Sequence, residues 1–177
     1  MVVINIAHQE YARALAHIEK SISDMNDIDC TIEFSADHSQ SKIIRDFVWK
    51  IFDTHHIRAL WRGRFILITD ELINNAIEHG SAKDDLDSCI IHAWLSDLGE
   101  FQISLEVHDT GNGKDSGNIQ DMSVIMDTHT RHKWVYLGKR GRWLFHITEK
   151  LVDNLSFSKS PIGWLAVKIE KTIWKKS

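Results

Sequence analysis

One segment of the chain places a carboxylate and a carboxamide on what the hydrophobic pattern predicts to be a helix. Glu71 and Asn75 are one helical turn apart, so a helix would present both on one face. A neutral carboxamide oxygen suits Mg²⁺ bound to phosphates, because the phosphates supply the negative charge. The carboxylate could orient or deprotonate an attacking hydroxyl. By itself, however, this segment favours the simpler interpretation of a solvated polar face or a structural Asn75.

A second segment, Asp109-Thr110-Gly111-Asn112-Gly113, follows a strongly predicted strand. Asp, Asn and Gly are common in turns, so an ordinary turn is one interpretation. In the other, Asp109 is held at the strand end and accepts a hydrogen bond from an exocyclic amine such as that of adenine. Gly111 and Gly113 would then let the backbone approach a ring and a sugar closely.

A third segment, Gly138-Lys139-Arg140-Gly141-Arg142, precedes a predicted helix. Backbone N–H groups at a glycine-rich turn and at a helix N-terminus form an anion site. Arg140 and Arg142 could add charge-assisted hydrogen bonds to phosphate oxygens. A basic loop that leads into a helix is the alternative interpretation.

Hydrophobic periodicity predicts the elements that would position these residues. Ser39 or Ser41 is expected to cap a helix with an apolar stripe from Ile43 to Phe52, and the helix that carries Glu71 should end at Gly80. Residues 110–140 are predicted to be mostly loop. The other expected elements are strands over 2–6, 30–35, 88–95, 100–108, 154–159 and 163–171, and helices over 9–25, 61–79 and 141–153.

The length, net charge and composition of the chain limit the class of protein to which it can belong. A chain of 177 residues suits one domain with a sizeable core, and a net charge of −4 without a clustered basic surface argues against nucleic-acid binding. No stretch approaches the roughly 20 apolar residues of a membrane helix, and the start is too briefly apolar for a signal peptide. Cys30 and Cys89 are expected as buried or free thiols in a reducing compartment. These features predict a cytoplasmic protein with neither a membrane nor a nucleic-acid partner.

Taken together and in this order, the three segments resemble the GHKL ATPase superfamily, and most of all its anti-sigma-factor serine kinases. The helix segment is similar to the Glu-x-x-x-Asn box, and its His79-Gly80 ending is typical of this branch. The Asp109 segment is similar to the Asp-x-Gly-x-Gly box, and the Gly138 segment to the glycine-rich lid. The likeness covers about residues 30–170. It divides the chain into an N-terminal extension over 1–29 and an ATPase-like domain over 30–177.

The resemblance implies a two-layer α/β (α+β) sandwich, with helices on a mixed, mostly antiparallel sheet, and with ATP and Mg²⁺ as cofactors. Asn75 would hold Mg²⁺, Asp109 the adenine, and Glu71 would align or deprotonate a serine or threonine hydroxyl. The cofactor-binding residues implied by the resemblance are Asn75, Asp109, Gly111, Gly113, Gly138, Arg140, Gly141 and Arg142.

The resemblance also implies partners. A kinase of this branch phosphorylates a small STAS-type anti-anti-sigma protein and captures it when it is unphosphorylated. A sigma factor or another output regulator competes for the same module. Because relatives of this type commonly dimerise, a homodimer is a further candidate assembly.

Two tryptophans depart from the family pattern. Trp143 stands where the second lid glycine is expected, and Trp164 follows Gly163 where a threonine is common. Tryptophan fills space that glycine leaves open and cannot donate a hydroxyl. Two alternatives to an active kinase therefore stay open: a non-catalytic module that sequesters a regulatory partner, and a detached histidine-kinase-like ATPase domain. The presence of Glu71 favours the serine-kinase branch over the second alternative.

Overall fold

The computed structural model of the chain describes residues 1–113, 151–163 and 165–174. Within these ranges the fold is α+β, with three α-helices and a six-stranded mixed sheet. The helices are α1 (Tyr11–Ser21), α2 (His38–Thr54) and α3 (Ala59–Asn75), and the strands are β1 (Val2–Asn5), β2 (Asp27–Ser35), β3 (Leu86–Leu95), β4 (Glu100–His108), β5 (Asn154–Lys159) and β6 (Leu165–Trp174).

The strand order is β1-β2-β3-β4-β6-β5. The β1–β2 pair is parallel and the other four pairs are antiparallel. A mixed, mostly antiparallel sheet was the prediction, and it is confirmed. β5 and β6 pair antiparallel, as predicted for the last two strands.

A single apolar core joins the helices to one face of the sheet. The Phe52 ring of α2 lies 5.2 Å, centroid to centroid, from Phe65 of α3 and 5.3 Å from Phe101 of β4. The predicted stripe of α2 and the predicted alternation of β4 are both confirmed. The N-terminal segment contributes to the same core: Ile4, Ile6, Ala14 and Ile18 are buried in it.

The helix cap differs from the prediction. Asp37 caps α2, because its carboxylate accepts the Ser39 backbone N–H at 2.7 Å. Ser41 lies inside the helix, is buried, and donates its hydroxyl to the Asp70 carboxylate at 2.8 Å. The prediction of Ser39 or Ser41 as the cap was therefore wrong, because α2 begins earlier than the apolar stripe shows.

The helix that carries Glu71 ends at Gly80, as predicted, but its last turn is not α-helical. After Asn75 the chain continues in a π-helical turn, Ala76–Gly80, called the π-turn below. Single π-helical turns are often found at functional sites. Most of the loop predicted over 110–140 and of the helix predicted over 141–153 lies outside the described residues. In the described ranges no helix is long and apolar enough to cross a membrane.

Candidate functional site

The end of the π-turn meets the end of β4. Gly80 is buried, and a Cβ added to it would overlap the Asp109 side chain. Asp109 directly follows β4 and is only 4% exposed. The tertiary structure thus brings the last residue of the helix segment against the first residue of the Asp109 segment.

Asp109 is held in place by the start of β6. Its backbone N–H donates to the Leu165 carbonyl at 3.1 Å, and its Oδ1 accepts the Leu165 N–H, also at 3.1 Å. A buried carboxylate oxygen bonded to a backbone N–H has a set direction, since both partners belong to the sheet. The Asp109 carboxyl group is therefore fixed relative to β4 and β6.

Three further glycines lie in the segments next to Asp109. The Gly113 N–H donates to the Gly80 carbonyl at 3.1 Å, and a Cβ on Gly113 would overlap the His79 carbonyl. Gly163, at the turn before β6, lies against the backbone of Thr110 in the same way. Gly111 has a φ of +73°, a left-handed conformation that glycine adopts without strain.

Two polar side chains clamp the Asp109–Gly113 loop to Asp85, just before β3. The Thr110 hydroxyl donates to the Asp85 carboxylate at 2.6 Å, and the Asn112 side-chain amide donates to it at 3.1 Å. The Thr110 hydroxyl is the main cause that lowers the pKa of Asp85 below its ordinary value, which keeps this acceptor ionised. These hydrogen bonds fix the Asp109–Gly113 loop to the segment just before β3.

A second carboxylate, Asp87, lies beneath this loop and was not among the sequence candidates. It is fully buried, and its Oδ1 accepts a hydrogen bond from the Ser81 hydroxyl. Burial raises the pKa of Asp87 to about 7; the Ser81 hydroxyl opposes this rise, and the nearby carboxylates of Asp109 and Asp85 add to it. The site therefore holds two buried aspartates, Asp87 and Asp109, with different partners.

The alternation of buried and more exposed residues along β3 marks Asp87 as an unusual residue. Alternating residues of β3 face the core, and Asp87 is in phase with Cys89, Ile91 and Ala93. A carboxylate on the apolar side of a strand is unusual, and it is often found at functional sites.

Glu71 and Asn75 lie on α3, which leads into the π-turn. Both are half-buried, whereas their neighbours Leu72 and Ile73 are buried in the core. Asn75 is the last residue of α3, so its carboxamide is at the end of the helix that approaches Asp109. The helix thus carries both side chains toward the same end of the sheet.

The four remaining predicted residues, Gly138, Arg140, Gly141 and Arg142, lie outside the described residues, as do Trp143 and Trp164. Within the described ranges no three His, Cys, Asp or Glu side chains are grouped as a metal site. A carboxamide oxygen such as that of Asn75 is a different kind of ligand, one that Mg²⁺ uses together with phosphate oxygens.

Asp109 therefore presents a buried carboxylate with a set direction, which is a strong hydrogen-bond acceptor. The Gly80 backbone lies directly against this carboxylate. Comparison with protein-family models and with curated proteins gives no match to this chain.

Proposed function

We propose that the chain is an ATP- and Mg²⁺-binding protein serine/threonine kinase of the GHKL superfamily, of the anti-sigma-factor type. The observation that carries the proposal is the meeting of Gly80, Asp109 and Gly113. Each glycine stands where a side chain would overlap its neighbours, and the Asp109 carboxylate beside Gly80 is buried and oriented. Such an arrangement is expected where backbone must pack closely around a carboxylate that recognises a ligand.

The residues present fit Mg²⁺-ATP. Asp109 would accept a hydrogen bond from the exocyclic amine of the base, and Asn75 would offer a neutral oxygen to the metal. The described contacts of Asp109 include a backbone N–H of β6 and the Gly80 backbone.

Mg²⁺-ATP supplies a phosphoryl group that is ready for transfer, so the chain's residues need mainly to position and polarise. Glu71 would orient or deprotonate the hydroxyl of a protein substrate. Glu71 and Asn75 share one helix, which keeps the metal ligand and the base at a constant spacing. The lid segment with Arg140 and Arg142 would bind the phosphates.

We extend the proposal to the partner on the ground of the family resemblance alone. The substrate would be a serine or threonine of a small STAS-type antagonist, and a sigma factor or another output regulator would compete with it. The His79-Gly80 ending and the presence of Glu71 support this branch over a histidine-kinase-like domain.

Calorimetric titration with Mg²⁺-ATP tests the binding claim. We expect Asp109→Asn to weaken binding by about 10- to 100-fold, since a hydrogen bond to a charged group contributes about 1.5–3 kcal/mol. Asparagine keeps an acceptor for the Leu165 N–H, so the fold should survive. Asp97→Asn, in the exposed β3–β4 turn, is the matched control and should bind as the wild type does. Equal affinities for all three proteins would refute the site.

Incubation with labelled ATP and a STAS-type protein tests the kinase claim separately. We expect phosphotransfer by the wild type and a loss of at least about 100-fold in Glu71→Gln, the range that removal of a general base produces. Binding of nucleotide should be unchanged in that variant. Tight binding by the wild type without phosphotransfer would reject the kinase and keep a nucleotide-binding or sequestering module.

A further inference from the structure

Asp87 is the polar group that the proposed function leaves without a role. It is fully buried at the start of β3, and its Oδ2 has no hydrogen-bond partner among the described residues. Its Oδ1 accepts the Ser81 hydroxyl, and the Ser81 oxygen in turn accepts the Thr110 backbone N–H at 3.3 Å. A chain of hydrogen bonds therefore runs from the Asp109–Gly113 loop to Asp87.

The two buried aspartates differ in their hydrogen-bond partners. Asp109 accepts the Leu165 N–H with its Oδ1. Asp87 has one oxygen without a donor, and an ionised oxygen in that position loses its hydration without replacement. Burial is the largest effect on the Asp87 pKa and raises it; the nearby carboxylates of Asp109 and Asp85 add to the rise, whereas the Ser81 hydroxyl and the Thr110 backbone N–H oppose it. Because burial is the largest of these effects, the protonated form of Asp87 is favoured.

We infer that Asp87 is a positioning residue of the proposed nucleotide site: in its protonated form it holds the Asp109–Gly113 loop through Ser81. This inference rests on the proposed function. When Asp87 loses its proton, its carboxylate repels the nearby carboxylates of Asp109 and Asp85. The Asp109–Gly113 loop is then strained, and nucleotide binding weakens.

The pH dependence has a definite sign. The pKa of Asp87 is raised to about 7 in the folded chain, so the stability that its proton provides is lost as the pH rises through 7. Asparagine resembles the protonated acid in shape and charge. Between pH 5 and pH 8 the unfolding constant of the wild type should therefore rise, relative to that of Asp87→Asn, on the order of 10- to 100-fold.

Mg²⁺-ATP titrations from pH 6 to pH 8.5 test the role in binding. We expect the wild-type affinity to fall relative to that of Asp87→Asn as the pH rises, because the ionisation of ATP itself is common to both proteins. Ser81→Ala, which removes the link to Thr110, should bind about tenfold more weakly than the wild type at pH 6. Asp97→Asn is the control and should follow the wild type.

Carboxyl-carbon NMR of wild-type protein labelled at aspartate tests directly whether Asp87 is protonated, without any substitution. We expect the Asp87 carboxyl, assigned through its own backbone resonances, to titrate near pH 7. Titration of Asp87 below pH 5, or identical pH profiles of binding in the wild type and Asp87→Asn, would overturn the inference and leave the proposed function standing. No nucleotide binding by the wild type at any pH would overturn both.

Discussion

Gly80→Ala is a sharp test of how the helix segment and the Asp109 loop fit together. The φ of Gly80 is not in the left-handed region, so alanine meets no backbone strain there. Its Cβ, however, would lie 2.5 Å from the Asp109 Cβ, whereas non-bonded carbons prefer about 3.5–4.0 Å. Rotation of the Asp109 side chain does not move its own Cβ. The backbone of the π-turn or of the loop must therefore shift.

The expected loss has two parts. Inserting a methyl group into a packed region costs about 1–3 kcal/mol. A shift of Asp109 also weakens its hydrogen bond to the Leu165 N–H, and loss of such a bond costs about 1–3 kcal/mol. We therefore expect a free energy of unfolding lower than that of the wild type by about 2–6 kcal/mol, together with loss of the proposed Mg²⁺-ATP binding.

Equilibrium unfolding in urea, followed by circular dichroism, gives this free energy, and α3 offers a matched control. Gly63 is exposed, and a Cβ there has no neighbour within 4 Å. Gly63→Ala should stabilise the chain by about 0.5–1 kcal/mol, because alanine favours a helix interior over glycine. The two variants should thus change stability in opposite directions. A Gly80→Ala protein as stable as Gly63→Ala would refute the contact with Asp109.

Two further predictions follow from the described residues. Cys30 and Cys89 should resist a thiol reagent at neutral pH until the chain unfolds. The reason is that burial raises the pKa of Cys30 to about 12 and the pKa of Cys89 well above its ordinary value. Rapid labelling of the folded protein, measured by mass spectrometry, would contradict this prediction. Asp37→Ala should lower the free energy of unfolding in urea by about 1 kcal/mol, because the α2 cap is lost. Ser39→Ala should leave the cap intact, since Ser39 contributes its backbone N–H and not its side chain. Equal losses in these two variants would place the cap elsewhere.

Helices and strands could be predicted from the sequence where one face of the helix or strand is buried along its whole length. In β4, Phe101, Ile103, Leu105 and Val107 alternate with polar residues, and a strand in an antiparallel sheet needs this pattern. The α2 cap was mispredicted because several polar residues stand near the helix start, and only the backbone conformation selects Asp37. The π-turn was missed because its residues are compatible with an ordinary α-helical end.

Residue types, local spacing and the family resemblance singled out Glu71, Asn75, Asp109 and Gly113, but not the residues that hydrogen-bond to the Asp109 loop. Ser81, Asp85 and Asp87 were not singled out: Ser81 and Asp85 stand in a short polar segment before β3, and Asp87 is the first buried residue of β3 itself. Their roles appear when that segment lies beneath the Asp109 loop and provides its hydrogen-bond partners.

The amino-acid sequence by itself determined the properties of contiguous residues. These are the periods of the helices and strands, the stop at Gly80, and the residue types from which a nucleotide site is proposed. What the tertiary structure decided is which distant residues touch. Asp109 meets Gly80 and Leu165 because the register of β4 with β6, and the end of α3, place them together. Such contacts depend on how separate elements pack, so a local pattern of residues does not contain them.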